Sequence, residues 1–276
     1  MQLTPRYGPD PVIVIDQIDG IVEAAVAQRA RLAGALAELD AAAWAQPSRC
    51  EGWSVRDVMV HLESTNAFWS FSIGSALAGE PSRFLASFDP VASPAELVAA
   101  SSATPEEVLA SFQASNEALA AQLGALSDDD LQVQAEAPPG HESVAAVVHH
   151  ALWDSWVHER DVLLPLGIEP EVVPGEVAAC LRYAVALGPS LGVGRGEASV
   201  GTMGVRASDP MVALAVEVGD HVHVRDDAGD GERVLAGDAV ELVESLSLRT
   251  PFAAEDADAA AWLVGGLEIA FDVADA

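Results

Sequence analysis

The chain has 276 residues, enough for two ordinary domains that fold without disulfides. It carries 43 acidic and 13 basic residues, and because every basic residue is arginine and the formal net charge is −30, it lacks the basic face that nucleic acid or an anionic membrane requires. No apolar run has the length of a membrane span, the first residues do not resemble a signal peptide, and the two cysteines form no disulfide framework. We therefore expect a soluble, cytoplasmic protein that binds neither nucleic acid nor membrane.

Four long helices are predicted in the first part of the chain. The first is indicated by apolar residues at three- and four-residue steps. The second and third begin at capping boxes, formed by Ser54 with Asp57 and by Thr104 with Glu107. The four predicted ranges are 12–38, 54–77, 104–126 and 143–165, and residues 79–103 form a long connection. Four long helices with polar connections predict a bundle.

The composition changes after Pro174. A fifth helix is predicted over about 175–187, and glycines then interrupt a segment whose periodicity falls toward two. Strand patterns follow at 198–207, 211–218, 221–226 and 231–237, and then an acidic-start helix at 238–249. The sequence therefore predicts an α+β protein, with a four-helix bundle at 1–168 and a small α+β domain at 175–276.

The fourth predicted helix carries an unusual polar face. His150, Asp154, His158 and Asp161 share this face when the helix is projected at about 100° per residue. Asp154 and His158 are one turn apart, so their side chains can converge on one metal ion. His61, at the edge of the apolar face of the second helix, is the best third ligand.

Two histidines and one aspartate with an open position are typical of a catalytic zinc site. The same set suits non-haem Fe(II), so the metal stays open. Purely structural roles also stay open. His61 alone could be a helical histidine packed against its neighbours, and Asp154 and His158 could form a surface hydrogen bond. His150 and Asp161 are candidates for hydrogen bonding to the ligands. Cys50 is expected to be a small buried residue, because the sequence places no base beside it.

Two segments resemble a known family. Residues 44–62, WAQPSRCEGWSVRDVMVHL, resemble the entry to the metal helix of the mycothiol-dependent maleylpyruvate isomerase family, and residues 154–161, DSWVHERD, resemble its second metal motif. Residues 238–251, DAVELVESLSLRTP, are similar to part of the sterol-carrier-like domain of that family. The resemblance covers nearly the whole chain and implies a DinB-like four-helix bundle followed by this α+β domain.

The resemblance also implies a site and an activity. His61, Asp154 and His158 would bind a divalent metal, commonly zinc, although the family often has Glu where this chain has Asp154. Mycothiol, a low-molecular-weight thiol, would be the cosubstrate, and its sulfur would fill the open position. Arg249 matches a family position expected to face the cleft, where it would hold a substrate carboxylate in a bidentate way, which makes it the candidate catalytic residue. Arg160 and Arg56 are rivals for that role.

The predicted function is that of a divalent-metal-dependent enzyme, an S-transferase or a maleylpyruvate isomerase-like isomerase. It would activate mycothiol for transfer to a small electrophile, or for thiol-assisted isomerisation of it. The partners are then small molecules, and the protein is a monomer or a homodimer. Two alternatives stay open: a non-catalytic metal- or ligand-binding bundle protein, and a non-haem Fe(II) oxygenase.

Overall fold

The computed structural model describes residues 2–227 and 233–271. The α-helices of this part of the chain are α1 (Ile21–Ala37), α2 (Ala41–Trp44), α3 (Val55–Leu77), α4 (Ala92–Ala100), α5 (Pro105–Leu123), α6 (Val144–Leu163), α7 (Pro174–Arg195), α8 (Ala239–Leu246) and α9 (Ala257–Ala270). The strands are β1 (Ile13–Ile15), β2 (Gln134–Ala137), β3 (Gly140–Ser143), β4 (Gly201–Ser208), β5 (Val212–Val218), β6 (Val222–Arg225) and β7 (Val234–Asp238).

The predicted bundle is formed by α1, α3, α5 and α6. Each of these helices packs against two of the others, in the ring order α1, α6, α3, α5. Both predicted capping boxes are present at the starts of α3 and α5, where Ser54 and Thr104 each accept a hydrogen bond from the backbone N–H three residues later. The predicted α+β class, with a helical bundle followed by a sheet, is confirmed.

The prediction of one helix over 12–38 is wrong at its start. Residues 13–15 form β1, and α1 begins only at Ile21, after Gly20 adopts a left-handed conformation with φ of 75°. The run Val12-Ile13-Val14-Ile15 consists entirely of β-branched residues, which favour strands. Asp16 and Asp19 then separate this run from the helix.

Strand β1 joins the two halves of the chain. It pairs in parallel with β6, at the edge of a sheet of order β1-β6-β5-β4-β7, with Ile13 opposite Val222. The other four strands of this sheet come from residues after 200. The division into domains at 1–168 and 175–276 stays a prediction, and 13–15 is a segment of the first half that extends the sheet of the second.

Helix α7 is longer than the predicted 175–187 and continues to Arg195. Gly188, Gly192 and Gly194, three of the glycines that predicted the end of the helix, lie inside it, and Gly188 allows close packing against α9. A Cβ at Gly188 would overlap the carbonyl oxygen of Leu263, and a Cβ at Gly266 would overlap the carbonyl oxygen of Gly188. No pattern in the sequence predicted α9, so the reason for a glycine at position 188 was not apparent from the sequence.

This helix contact predicts a stability difference between two glycines. Gly188→Ala is expected to lower the free energy of unfolding by about 1–3 kcal/mol, because the added methyl group must push α7 from α9. Gly265→Ala is the matched control, since a Cβ there meets no atom within 4 Å. Alanine should be neutral or stabilising at that position, by up to about 1 kcal/mol. Equal effects in urea unfolding would contradict this packing.

Helix α7 is also the one segment of the described residues that is long and apolar enough to cross a membrane, which the sequence analysis did not expect. It is mostly buried inside the protein, against α6, α8, α9 and the sheet. A buried core helix of a soluble protein meets the same criteria of length and composition.

Candidate metal centre

The three predicted ligands lie together between α3 and α6. His61 comes from α3, while Asp154 and His158 are one turn apart on α6. Asp154 Oδ1 is 3.9 Å from His61 Nε2 and 3.5 Å from His158 Nε2. One nitrogen or oxygen atom from each of the three residues lies within 4.8 Å of those from the other two. The geometry therefore brings two imidazoles and one carboxylate to a common point.

Asp161 fixes the orientation of His158. Its Oδ2 is 2.9 Å from His158 Nδ1, one turn along α6. An imidazole that donates Nδ1–H to a carboxylate presents the lone pair of Nε2 on its other side. That other side faces Asp154, so His158 is held in the orientation that a metal ligand needs.

Two arginines in turn hold Asp161. The side chain of Arg249 reaches both of its carboxylate oxygens, with Nε 2.9 Å from Oδ1 and Nη2 2.8 Å from Oδ2. Arg49 Nε donates to Oδ1 at 3.0 Å, and the backbone N–H of Arg49 donates to the carbonyl oxygen of Asp161. Asp161 itself is fully buried. This carboxylate is thus neutralised and immobilised by residues from two loops, one before α3 and one after α8.

The charges of the cluster shift its protonation equilibria. Burial alone would lower the pKa of His158, but the hydrogen bond with Asp161 and the charge of Asp154 raise it to about 10. Burial would raise the pKa of Asp154, yet the neighbouring His61 and His158 hold it well below its usual range. A cation that binds His158 Nε2 must therefore displace a proton from this imidazole.

The residues fit a divalent cation. Asp154 Oδ2 and His61 Nδ1 are both buried without a hydrogen-bond partner among the described residues. An unsatisfied buried carboxylate oxygen is costly, and a metal ion at this point would compensate it. Two imidazole nitrogens and one carboxylate oxygen are ligands of zinc and of several other divalent metals.

The structure gives the remaining predicted residues different surroundings. Arg249, the candidate catalytic residue, directs Nε and Nη2 at Asp161, so its role toward a substrate carboxylate stays a prediction. Asp161 contacts His158 directly, as proposed for a partner of the ligands. His150 instead pairs with Tyr183, whose hydroxyl lies 2.6 Å from His150 Nδ1, and its ring packs on Trp69.

Sequence reasoning missed Cys50 and Arg49. Cys50 is half-buried, and its Sγ lies 3.3 Å from Asp161 Oδ2 and 3.7 Å from His158 Nδ1, on the side of the imidazole away from Asp154. Cys50 was expected to be buried, whereas it is half-buried, and the fold places His158 beside it, which the sequence did not show. Cys50 and Arg49 both fall inside the quoted 44–62 segment, which was the available signal, but only the folded loop brings them to α6.

The loop before α3 and helix α6 also contact the second half of the chain. Glu244 on α8 forms ion pairs with two arginines, with Oε2 2.7 Å from Arg49 Nη1 and Oε1 3.4 Å from Arg160 Nε. Trp153 Nε1 donates to Ser247 Oγ at 2.9 Å. The candidate centre thus lies where the bundle meets the segment around α8, and residues from both halves support it.

Glu142 is a buried carboxylic acid that contacts Tyr183, the partner of His150. Glu142 on β3 is fully buried, with Oε1 3.5 Å from the Tyr183 hydroxyl and Oε2 without a partner among the described residues. Burial raises the pKa of Glu142 well above its usual value, against the smaller effect of the Tyr183 hydrogen bond. The folded protein therefore keeps this carboxyl group protonated at pH values where the unfolded chain loses the proton.

This pKa predicts a pH-dependent effect of Glu142→Gln. A carboxyl group whose pKa is raised on folding stabilises the protein below its unfolded pKa, and this contribution is lost as the pH rises. Glutamine has no proton to lose, so the stability of the variant relative to the parent should increase from pH 5 to pH 7, by at most about 1.4 kcal/mol per pH unit. Urea unfolding at both pH values measures this difference, and a pH-independent difference would contradict the assignment.

A family model decides the relationship of the chain to known proteins. Residues 25–163, which include all three predicted ligands and half of the chain, match the model described as the mycothiol maleylpyruvate isomerase N-terminal domain. The chain belongs to this family. The predicted membership of the mycothiol-dependent maleylpyruvate isomerase family, which is named for an enzyme, is thereby confirmed.

Two solved structures share the fold. The crystal structure of a mycothiol-dependent maleylpyruvate isomerase is 15% identical, with a TM-score of 0.61 over 85% of this chain and 90% of that one. A histidine-to-alanine mutant of such an isomerase matches over the same shares, with 15% identity and a TM-score of 0.60. The comparison with curated proteins gives no match. The likeness in fold to these two structures thus extends beyond the matched N-terminal domain to most of the chain.

Proposed function

We propose that the chain is a divalent-metal-dependent enzyme that activates mycothiol for transfer to, or isomerisation of, a small electrophile. The observation that carries the proposal is the convergence of His61, Asp154 and His158 within 4.8 Å, with Asp161 orienting His158. Membership of a family named for a mycothiol-dependent isomerase supports the thiol. We further propose that the protein acts in the cytoplasm, as a monomer or a homodimer, on small molecules.

In this proposal, His61, Asp154 and His158 hold the cation. When bound, a divalent cation such as zinc would lower the pKa of a coordinated thiol and so supply a thiolate at neutral pH. The three protein ligands leave room for such a thiol in a four-coordinate site. Asp161 keeps His158 in the ligating tautomer, and Arg249 and Arg49 keep Asp161 ionised and in place.

The reaction then follows from the nucleophilic sulfur. A C–S bond forms at an electrophilic carbon while the electron pair of its double bond moves onto a conjugated carbonyl oxygen. If a proton is added to the neighbouring carbon, the product is a thioether, and the reaction is S-transfer. If the former double bond rotates and the sulfur is expelled with the C–S electron pair, the product is the isomer and the thiol is regenerated.

The positive charge near the centre favours anionic electrophiles. The chain has a formal net charge of −30, which repels anions at long range. Arg49 and Arg249, which supply positive charge beside the candidate centre, are both partly exposed. We propose that these guanidinium groups attract a substrate carboxylate, and that Arg249 is the one that contacts it.

The proposal is tested by metal content together with thiol-dependent conjugation. The purified protein should contain about one divalent metal ion per chain and should add mycothiol across the double bond of diethyl maleate, which is conjugated with its carbonyl groups. Removal of the metal with a chelator should abolish the activity, and zinc should restore it. Full activity in the metal-free protein would overturn the proposal. Iron content with oxygen consumption would instead favour an Fe(II) oxygenase.

A further inference from the structure

Trp53 is a half-buried tryptophan beside the candidate metal centre. It lies in the loop before α3, and its ring centroid is 5.5 Å from that of His61, at an interplanar angle of 56°. The ring of His61 in turn lies 5.1 Å from that of His158. Part of the indole packs against the apolar core at this end of the bundle. The rest of its surface is therefore an exposed aromatic surface next to a candidate ligand.

The loop that carries Trp53 is held by hydrogen bonds. The backbone N–H of Ser48 donates to the carbonyl oxygen of Trp53 at 2.9 Å, and the Ser48 hydroxyl donates to the same oxygen at 2.8 Å. The N–H of Trp53 donates to the carbonyl oxygen of Cys50 at 3.0 Å. These bonds fix the main chain of Trp53. A preorganised aromatic side chain loses little conformational entropy when another ring binds to it.

The candidate ligands themselves are partly open to solvent. The side chains of His61, Asp154 and His158 are 15%, 13% and 11% exposed. A small molecule can therefore approach them from solvent. Because Trp53 contacts His61 and is itself half-buried, its indole borders this approach on the side of His61.

The opposite side of the centre is positively charged. Arg49 and Arg249 bind Asp161, which contacts His158 through Nδ1, and each arginine side chain is 25% exposed. The surroundings of the centre thus combine guanidinium groups near His158 with an indole near His61. A molecule that suits both sides carries an anionic group at one end and a flat apolar group at the other.

We propose that Trp53 is a specificity-determining residue, whose indole stacks on an aromatic ring carried by the electrophile. This inference rests on the proposed function, because it assigns a substrate class to the same centre. The substrate is then an aryl-substituted, α,β-unsaturated compound with a carboxylate. A saturated ring of similar size fills the same volume but lacks the aromatic face that an indole stacks on.

The test compares two unreactive carboxylates, 3-phenylpropanoate and 3-cyclohexylpropanoate, by isothermal titration calorimetry with the full-length protein as purified, at pH 7. The cyclohexyl ring is at least as apolar as the phenyl ring, so burial of apolar surface alone does not favour phenyl. We expect the phenyl compound to bind about two- to ten-fold more tightly, because an aromatic pair contributes beyond its buried area. Equal affinities, tighter binding of the cyclohexyl compound, or no binding of either would overturn the proposal.

Trp53→Leu should remove the preference for the phenyl compound, because leucine supplies apolar surface without an aromatic face. Trp262→Leu is the matched control, since Trp262 is also half-buried but lies on α9, and it should keep the preference of the parent. A preference that survives in Trp53→Leu would place the bound ring elsewhere and would contradict the assignment.

Because Trp53 also packs on the core, Trp53→Leu can fail to fold, and a measurement on the parent covers that case. In protein labelled with 5-fluorotryptophan, the fluorine resonance that is missing from the Trp53→Phe spectrum belongs to Trp53. The ring current of a stacked phenyl group should shift this resonance when 3-phenylpropanoate is added. A Trp53 resonance that stays in place at saturating 3-phenylpropanoate would overturn the proposal.

These measurements use neither a thiol nor an electrophile, which separates this inference from the proposed function. A protein that prefers the phenyl compound through Trp53, but shows no metal-dependent conjugation of mycothiol, would contradict the proposed function alone. A protein that conjugates mycothiol, but shows no preference that depends on Trp53, would contradict this inference alone.

Discussion

Replacing His61 with alanine is expected to remove the metal ion and to lower thiol-dependent activity about a thousand-fold. His61 is the one ligand that α3 contributes, so its loss leaves Asp154 and His158 on a single helix. Two ligands one turn apart cannot enclose the ion from both sides. Metal analysis by mass spectrometry and initial rates of thiol conjugation measure the two effects.

His221→Ala is the control for this substitution. His221 is exposed in the turn before β6, far in sequence from the three predicted ligands, and its loss should change neither metal content nor rate. Far-ultraviolet circular dichroism should show that His61→Ala keeps the helical fold, because no described residue forms a hydrogen bond with His61 Nδ1. If the folded His61→Ala protein retained its metal, the ligand assignment would be wrong.

Asp161→Asn is expected to weaken metal binding about 10- to 100-fold, although Asp161 is not itself a predicted ligand. An aspartate can accept from His158 and from both arginines at once. An asparagine offers only one acceptor oxygen, and its NH₂ group cannot accept a hydrogen bond from His158 Nδ1–H. His158 then loses the partner that fixes its tautomer, and Arg49 and Arg249 lose their shared anion.

A surface carboxylate provides the comparison for Asp161. Asp226 also pairs with an arginine, Arg182, but at an exposed position outside the candidate centre. Asp226→Asn removes one such ion pair and should leave the zinc affinity unchanged, as measured by competition with a chromophoric chelator. Equal zinc affinities of Asp161→Asn and the parent would show that Asp161 plays no part in orienting His158.

The three candidate ligands could be predicted from the sequence better than the residues that hold them in place. Helical periodicity alone places Asp154 and His158 on one side of α6, because residues four apart are neighbours on any helix. The contact of His61 with them depends on how two helices pack, and the inward position of His61 followed from its apolar neighbours on α3. Arg49 and Arg249, which bind Asp161, come from loops, and no local sequence pattern predicts the position of a side chain in a loop.

Errors in the predicted elements arose where tertiary contacts decide the local structure. The apolar pattern around residues 13–15 is compatible with either a helix or a strand. Pairing with β6 makes this segment a strand. Gly188 weakens a helix by propensity, yet it lies inside α7 because α9 approaches there. The burial of Arg29, which is only 3% exposed, is equally invisible in the sequence, since an arginine on an amphipathic helix ordinarily faces solvent.

The measurement that tests the metal centre most directly is X-ray absorption spectroscopy at the zinc edge, on the zinc-loaded protein with and without mycothiol. We expect two imidazole nitrogens and one carboxylate oxygen at about 2.0–2.2 Å, and one sulfur at about 2.3 Å only after mycothiol is added. A sulfur ligand before the thiol is added would instead place the ion at Cys50, His158 and Asp161, the other group of ligand atoms within 4.8 Å of one another in the described part of the chain. That result would contradict the account of thiol activation at His61, Asp154 and His158.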